Sequence, residues 1–234
     1  MIFVIDITKK VRYAIPKLEI TNSNKRSTYM CQEVLKIVQG MDRKHIGTQL
    51  AIQCAPLITG IKMSNLLIVS SADAENVPHV LRRTGLAFVR LSQMKHKVTF
   101  LLFRRKELGA YLQDLDVQQI LQEYGYEDLS FQGIMQTFVG HYQTYVEKEA
   151  EFPHEMGLLL GYPVEDVRGF IVHKGQNFLY SGYWKVYADV TKKQEMFRQY
   201  EEAQRDVVEL LAGGTGICQI IKIYNGRNQI KLAV

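Results

Sequence analysis

The sequence predicts an α+β protein: a single domain whose mixed or antiparallel sheet packs with a long helical block, closed by a C-terminal β-hairpin. Three observations carry this. Leu86–Leu91 and Val98–Arg104 are apolar runs rich in β-formers, joined by the polar-leaning stretch Ser92 to Lys97, as in an antiparallel hairpin. From Lys106 to Lys148 the apolar residues take a helical spacing. Near the end, Ile217–Tyr224 and Gln229–Val234 flank Asn225-Gly226, the strongest short hairpin signal.

The elements follow in order. Residues 1–41 read as an extension or arm, with a strand-like stretch up to Lys17, a polar loop at Thr21–Ser27 and a short helix from Thr28 to Val38. The main domain is expected over residues 42–221, with residues 222–234 as the strand that completes the final hairpin. In Asp42 to Gln53, Ile46, Leu50 and Ile52 suit a helix or a strand, with a helix capped by Asp42 favoured, after which Cys54-Ala55-Pro56 turns the chain. Asn65–Ser70 reads as a short buried strand and Asp73–Thr84 as a helix stopped by Gly85. Leu108, Leu112, Leu115, Ile120 and Leu121 mark helical turns that end at Gly125. Phe131, Ile134, Met135, Phe138, Tyr142 and Tyr145 form the apolar stripe of another helix. Two short helices then meet at a Gly161-Tyr162-Pro163 corner, followed by a strand from Leu179 to Ala188. Thr191–Ala212 is the longest helix, stopped by Gly213-Gly214.

Composition narrows the classes of function. Apolar residues make up 47% and charged residues 23% of 234, as in ordinary globular proteins. No apolar run approaches the length needed to cross a bilayer, and Met1–Ile5 lacks the basic start of a secretory signal. Cys31, Cys54 and Cys218 are scattered, without a Cys-x-x-Cys pair, which argues for a reducing, cytoplasmic setting and against a zinc ribbon. The net charge of +5 lies in residues 1–44; the rest is electrically balanced, which argues against a nucleic-acid face.

Special residues concentrate in Phe152–Ile171, where Pro153 and Pro163 sit at helix starts and His154-Glu155 and Glu165-Asp166 fall in first turns. Three further blocks accompany it: Cys54-Ala55-Pro56 with Gly60-Ile61-Lys62 and Asn65-Leu66; Gly125-Tyr126; and Gly182-Tyr183-Trp184-Lys185-Val186-Tyr187. Together these blocks resemble the bacterial family designated domain of unknown function family 3793, from about Asp42 to about Ile221. That family carries no established activity, so the resemblance implies none. It also places family cysteines at positions that are Tyr180 and Ala203 here, which argues against a shared cysteine metal cluster.

The candidate catalytic residues are Cys54, His154 and Glu155. A thiol near a lysine or histidine acts as a nucleophile or redox group; a buried one acts as a small hydrophobe, and both readings stay open for Cys54. His154-Glu155 lacks the second histidine of a zinc helix, since position 158 is leucine, and no metal site is supported. Its alternative is a plain helix start. The candidate ligand-binding residues are Lys62, Asn65, Asp166, Tyr183, Lys185 and Tyr187. On a strand, Tyr183, Lys185 and Tyr187 would share one face and hold a planar anionic ligand, or form a solvated face with the lysine stem over the rings. Gly213-Gly214-Thr215-Gly216 follows a helix and so offers carbonyls where a phosphate needs N–H groups. Arg104-Arg105-Lys106 reads as an anion site or a solvated basic corner.

Two functions follow as expectations. One is a small-molecule site for a small anion or planar ligand, enzymatic and thiol-dependent or redox-linked, with no cofactor identified. The other is a non-catalytic module whose motifs are structural and whose surface docks a protein partner.

Overall fold

The computed structural model describes residues 32–148 and 150–232. The chain runs α1 (Gln32–Gln39), α2 (Ile46–Thr59), β1 (Ser64–Ser70), α3 (Asn76–Leu81), β2 (Ala87–Gln93) and β3 (Lys97–Phe103). It continues through α4 (Arg105–Tyr111), α5 (Leu115–Glu123), α6 (Phe131–Val146), α7 (Met156–Leu159) and α8 (Val164–Val172). A two-residue hairpin, β4 (Tyr180–Ser181) with β5 (Lys185–Val186), precedes α9 (Val190–Ala212) and α10 (Ile217–Leu232).

The α+β class and the antiparallel sheet hold. The sheet has the order β1-β3-β2, antiparallel throughout, with Asn65 opposite Leu102 and Phe88 opposite the same residue on the other side. The central strand β3 is apolar on both faces because each face meets a different core. Val98, Phe100 and Leu102 join a cluster with α1, α2, α9 and α10. Leu101 and Phe103 point the other way, into a cluster with α4 to α8. The molecule is therefore helices, sheet, helices, and each buried leucine contributes about 1.5–3 kcal/mol by leaving water. A third, aromatic cluster of Trp184, Val186, Phe197 and Tyr200 holds the small hairpin on α9.

Several expectations change. Cys54-Ala55-Pro56 does not turn the chain but lies inside α2, whose cap is His45, not Asp42. Pro56 has no N–H to give the carbonyl of Ile52, and a helix interior normally rejects it for that reason. Here the side-chain amide of Gln204 on α9 donates to that carbonyl at 2.8 Å. Arg104 caps the far end of α2, donating to the carbonyls of Leu57 and Ile58 at 3.1 Å each. It is thus a helix cap and not a solvated basic corner.

The strand pair expected around Asn225-Gly226 is α10 instead. Ile217, Ile220 and Ile221 are buried at helical spacing, and the Asn225 side chain bonds the Thr84 carbonyl and Arg104 instead of turning a hairpin. Residues 222–232 therefore do not complete a hairpin. The helix expected over Asp73–Thr84 shrinks to α3. The strand expected over Leu179–Ala188 is only the two-residue pairs β4 and β5, because the chain reverses at Gly182, where a Cβ would run into the Phe197 ring. Of the segment expected as an arm, α1 packs into the first core through Val34 and Val38. The readings for residues 1–31 lie outside the described residues.

Candidate functional site

Two helix ends build the first centre. α5 stops where Gly125 takes a left-handed conformation (φ 81°), with Gly125 N–H donating to the Gln122 carbonyl and Tyr126 N–H to that of Leu121. This is a Schellman cap. It buries Tyr126 beside the start of α7. Gly161 (φ 69°) stops α7 the same way and sets Tyr162. The Gly-Tyr pairs of the sequence are therefore helix stops that aim tyrosines inward.

Glu155, just before α7, is wholly buried. Its Oε1 accepts from His141 Nδ1 at 2.8 Å and from the Tyr126 hydroxyl at 3.2 Å. His141 comes from α6, and its side chain is 39% exposed. In the neutral imidazole, a carboxylate on Nδ1 fixes the proton there and leaves the lone pair on Nε2. Glu155 Oε2 and His154 Nδ1 are both buried and have no hydrogen-bond partner among the described residues. The His154 ring lies between Phe152 (5.6 Å) and Phe170 (5.3 Å). Burial holds its pKa below the ordinary histidine value, against the charges of Glu155 and Glu151. Burial, with the charge and hydrogen bond of Glu155, drives the Tyr126 phenol far above its usual range.

Asp166, in the first turn of α8, is also buried, but it is fully occupied. Its Oδ2 accepts from Trp184 Nε1 at 2.7 Å, and Oδ1 from the backbone N–H of Tyr187 at 2.7 Å and of Ala188 at 3.3 Å. Lys193, buried on α9, stands 4.0 Å from Oδ2 and donates to Glu165. Asp166 thereby ties α8, β5 and α9 together.

Cys54, Lys62 and Asn65 form a third group. Cys54 Sγ donates to the Leu66 carbonyl at 3.6 Å, Asn65 Nδ2 lies 3.8 Å from the sulfur, and Lys62 donates to Asn65 Oδ1 at 2.8 Å. Beside them Gln53 bonds both the N–H and the carbonyl of Ile68. Among the described residues β1 pairs with β3 alone, and these α2 side chains satisfy backbone groups on its other edge. Burial pushes the Cys54 thiol up to about 12, outweighing Asn65 and Lys62, and so favours the small-hydrophobe reading. Burial also lowers Lys62 to about 8.

The sequence-predicted residues thus fall into separate groups. Glu155 pairs with His141, not with His154, and Cys54 sits in the core on the other side of the sheet from Met156 and Tyr126. Tyr183, Lys185 and Tyr187 do not share a strand face, since Lys185 is buried between its buried neighbours Trp184 and Val186. Tyr183 packs on Phe197 and Tyr200, and the Tyr187 ring stacks on His173 at 5.6 Å. His141 is the residue that sequence reasoning missed. Its signal was position: it falls three residues after Phe138 and beside Tyr142, on the edge of the buried α6 stripe.

An open groove of about 450 Å³ beside β2 and α6 holds none of these residues; Phe103, Arg105, Phe131 and Met135 are among those that line it. Among the described residues no group of three or more His, Cys, Asp or Glu could hold a metal ion, and no helix is long and apolar enough to cross a membrane.

Residues 50–221 match the family described as protein of unknown function (DUF3793). The chain belongs to this bacterial family. The match spans every group above and begins inside α2, at residue 50 where about Asp42 was expected. No curated protein and no solved structure matches the chain. In this DUF3793 protein the motif blocks correspond to helix stops, the Asp166 tie, the β1 edge and the Glu155 centre.

Proposed function

We propose that this protein binds a small planar molecule and moves protons on it at the Glu155–His141 centre. The observation that carries the reading is a wholly buried carboxylate with one oxygen shared by His141 and Tyr126 and the other without a partner among the described residues. Buried polar atoms are normally satisfied, and exceptions concentrate where a ligand completes them. In this reading Glu155 holds the Nδ1 proton of His141, and the Nε2 lone pair accepts a proton from the ligand. The imidazolium that forms is stabilised by Glu155. Glu155 Oε2 and His154 Nδ1 accept hydrogen bonds from the ligand, and the rings of Phe152 and Phe170 favour a flat one. Cys54 takes no part, because its thiol stays protonated. We also read the protein as cytoplasmic, a setting that free Cys54 and Cys218 support.

The test is a thermal-shift and turnover screen of small aromatic and keto compounds against wild type, His141→Asn and Glu155→Gln. A compound consumed by the wild type, with turnover about 10²–10⁴-fold lower in either variant, supports the proposal. A compound handled equally by all three refutes it. The second reading, a protein-docking module, is favoured by one observation: Val172, Phe178, Leu179 and Tyr180 are large apolar side chains left exposed around β4.

A further inference from the structure

Lys185 carries a chemistry that the Glu155–His141 centre does not use. Its side chain is only 6% exposed. The side-chain ion pairs among the described residues are made by His141, Lys193 and Arg198, so none of them supplies Lys185 with a carboxylate. Its Nζ donates to the carbonyl of Gly175 and lies 4.8 Å from the Phe178 ring centroid and 5.7 Å from that of Phe170. The carbonyl and the two ring faces return part of the hydration that the buried ammonium loses, but no carboxylate among the described residues returns the rest. Burial accordingly lowers the Lys185 pKa.

The loop around the amine is bent to fit it. α8 ends with Gly175 N–H donating to the Phe170 carbonyl and Lys174 N–H to that of Ile171. Lys174 (φ 49°), Gly175 (φ 71°) and Asn177 (φ 55°) are all left-handed. For lysine and asparagine that conformation costs about 1 kcal/mol or more each, and such strain concentrates at functional sites. A Cβ on Gly175 would lie 3.0 Å from the Phe170 ring and 3.3 Å from Lys185 Nζ, a tight fit that would press on both side chains in a conformation that already favours glycine. Phe178, which closes the cage, is 40% exposed and is the wall open to solvent.

We propose that Lys185 is a nucleophilic amine that forms an imine with a small aldehyde or ketone entering past Phe178. The unprotonated Nζ gives its lone pair to the carbonyl carbon, and the C=O π pair takes up a proton. The carbinolamine then expels its hydroxyl as water while nitrogen loses a hydrogen as a proton, so the step releases one water and changes no oxidation state. Phe170 also packs against His154, which puts the amine and the acid–base centre on the same ring. The proposal stands without that centre.

The test uses the full chain with acetaldehyde and cyanoborohydride at neutral pH. The borohydride reduces any imine to a stable N-ethyl amine, and peptide mass spectrometry locates it at short times. Lys185 is expected to carry adduct before any other lysine, and Lys185→Arg to lose that early adduct while exposed Lys174 and Lys192 keep their slow labelling. Adduct appearing first on Lys174 and Lys192, with Lys185 last or unlabelled, overturns the proposal. The wild-type map decides this even if the arginine variant does not fold.

Discussion

Glu155 and Asp166 are both buried carboxylates, yet removing their charges is expected to have different effects on stability. Asp166 offers two oxygens to Trp184, Tyr187 and Ala188, with Lys193 at 4.0 Å. Asp166→Asn keeps one acceptor and turns an amide NH₂ toward the Trp184 indole, donor against donor. An unsatisfied buried N–H costs about 1–3 kcal/mol. With the weakened attraction to buried Lys193, which keeps its bond to Glu165, the total is about 2–4 kcal/mol. Glu155→Gln keeps the oxygen that serves Tyr126 and His141 and places its NH₂ where Oε2 already lacks a partner among the described residues. Losing charge-assisted hydrogen bonds is then offset by no longer burying a carboxylate, and stability should stay within about 1 kcal/mol. The chain has one tryptophan, Trp184, in contact with Asp166, so urea unfolding followed by its fluorescence reads the site directly. Asp166→Asn should lower the midpoint by about 1–2 M for the usual urea sensitivity of a chain this size. Equal losses in the two variants would show that Glu155 is as structural as Asp166 and would remove the ground for the proposed centre.

Gln204→Ala should cost about 1–2 kcal/mol by leaving the Ile52 carbonyl orphaned, and Pro56→Ala should rescue most of it by restoring an N–H in α2; additive losses in a urea double-mutant cycle would contradict this. Burial disfavours the Glu165 carboxylate, but the hydrogen bond from Lys193, a backbone hydrogen bond and nearby lysine charges together hold its pKa below the ordinary value. A depressed acid stabilises the fold above its unfolded pKa and loses that contribution as pH falls, so a component of at most about 1 kcal/mol should disappear below about pH 4.5 and be missing in Glu165→Gln. Urea midpoints measured from pH 6 to pH 3 check it. Cys54 should resist iodoacetamide at pH 8 in the folded protein while half-buried Cys218 reacts, read by peptide mass spectrometry; fast native labelling of Cys54 would contradict its burial.

The elements legible in the sequence were those whose signals are local. The β2–β3 hairpin, the α6 stripe and the length of α9 follow from side-chain period and glycine stops alone. What the sequence hid depends on partners far along the chain. Pro56 reads as a breaker because nothing nearby replaces its N–H; Gln204 does so from α9. Ile217, Ile220 and Ile221 fit a strand or a helix equally well, and burial against α2 and α9 decides for the helix. The Tyr-Lys-Tyr reading assumed an unbroken strand, which the Phe197 ring against Gly182 interrupts. At the candidate site Glu155 was legible as a special carboxylate, but its imidazole partner was not, since the place of His141 at the edge of the α6 stripe marks it as half-buried without naming Glu155 as its partner.

The first core takes its helices from the two ends of the described chain: α1 and α2 early, α9 and α10 last. As the polypeptide leaves the ribosome, the apolar faces of α2 and β1 must wait, uncovered, while everything between is made. The layer on the opposite side of the sheet can assemble meanwhile, since its helices are all translated before α9. Truncations that remove α9 and α10 should therefore damage far more than their length suggests, exposing the part of an early surface that these two helices shield.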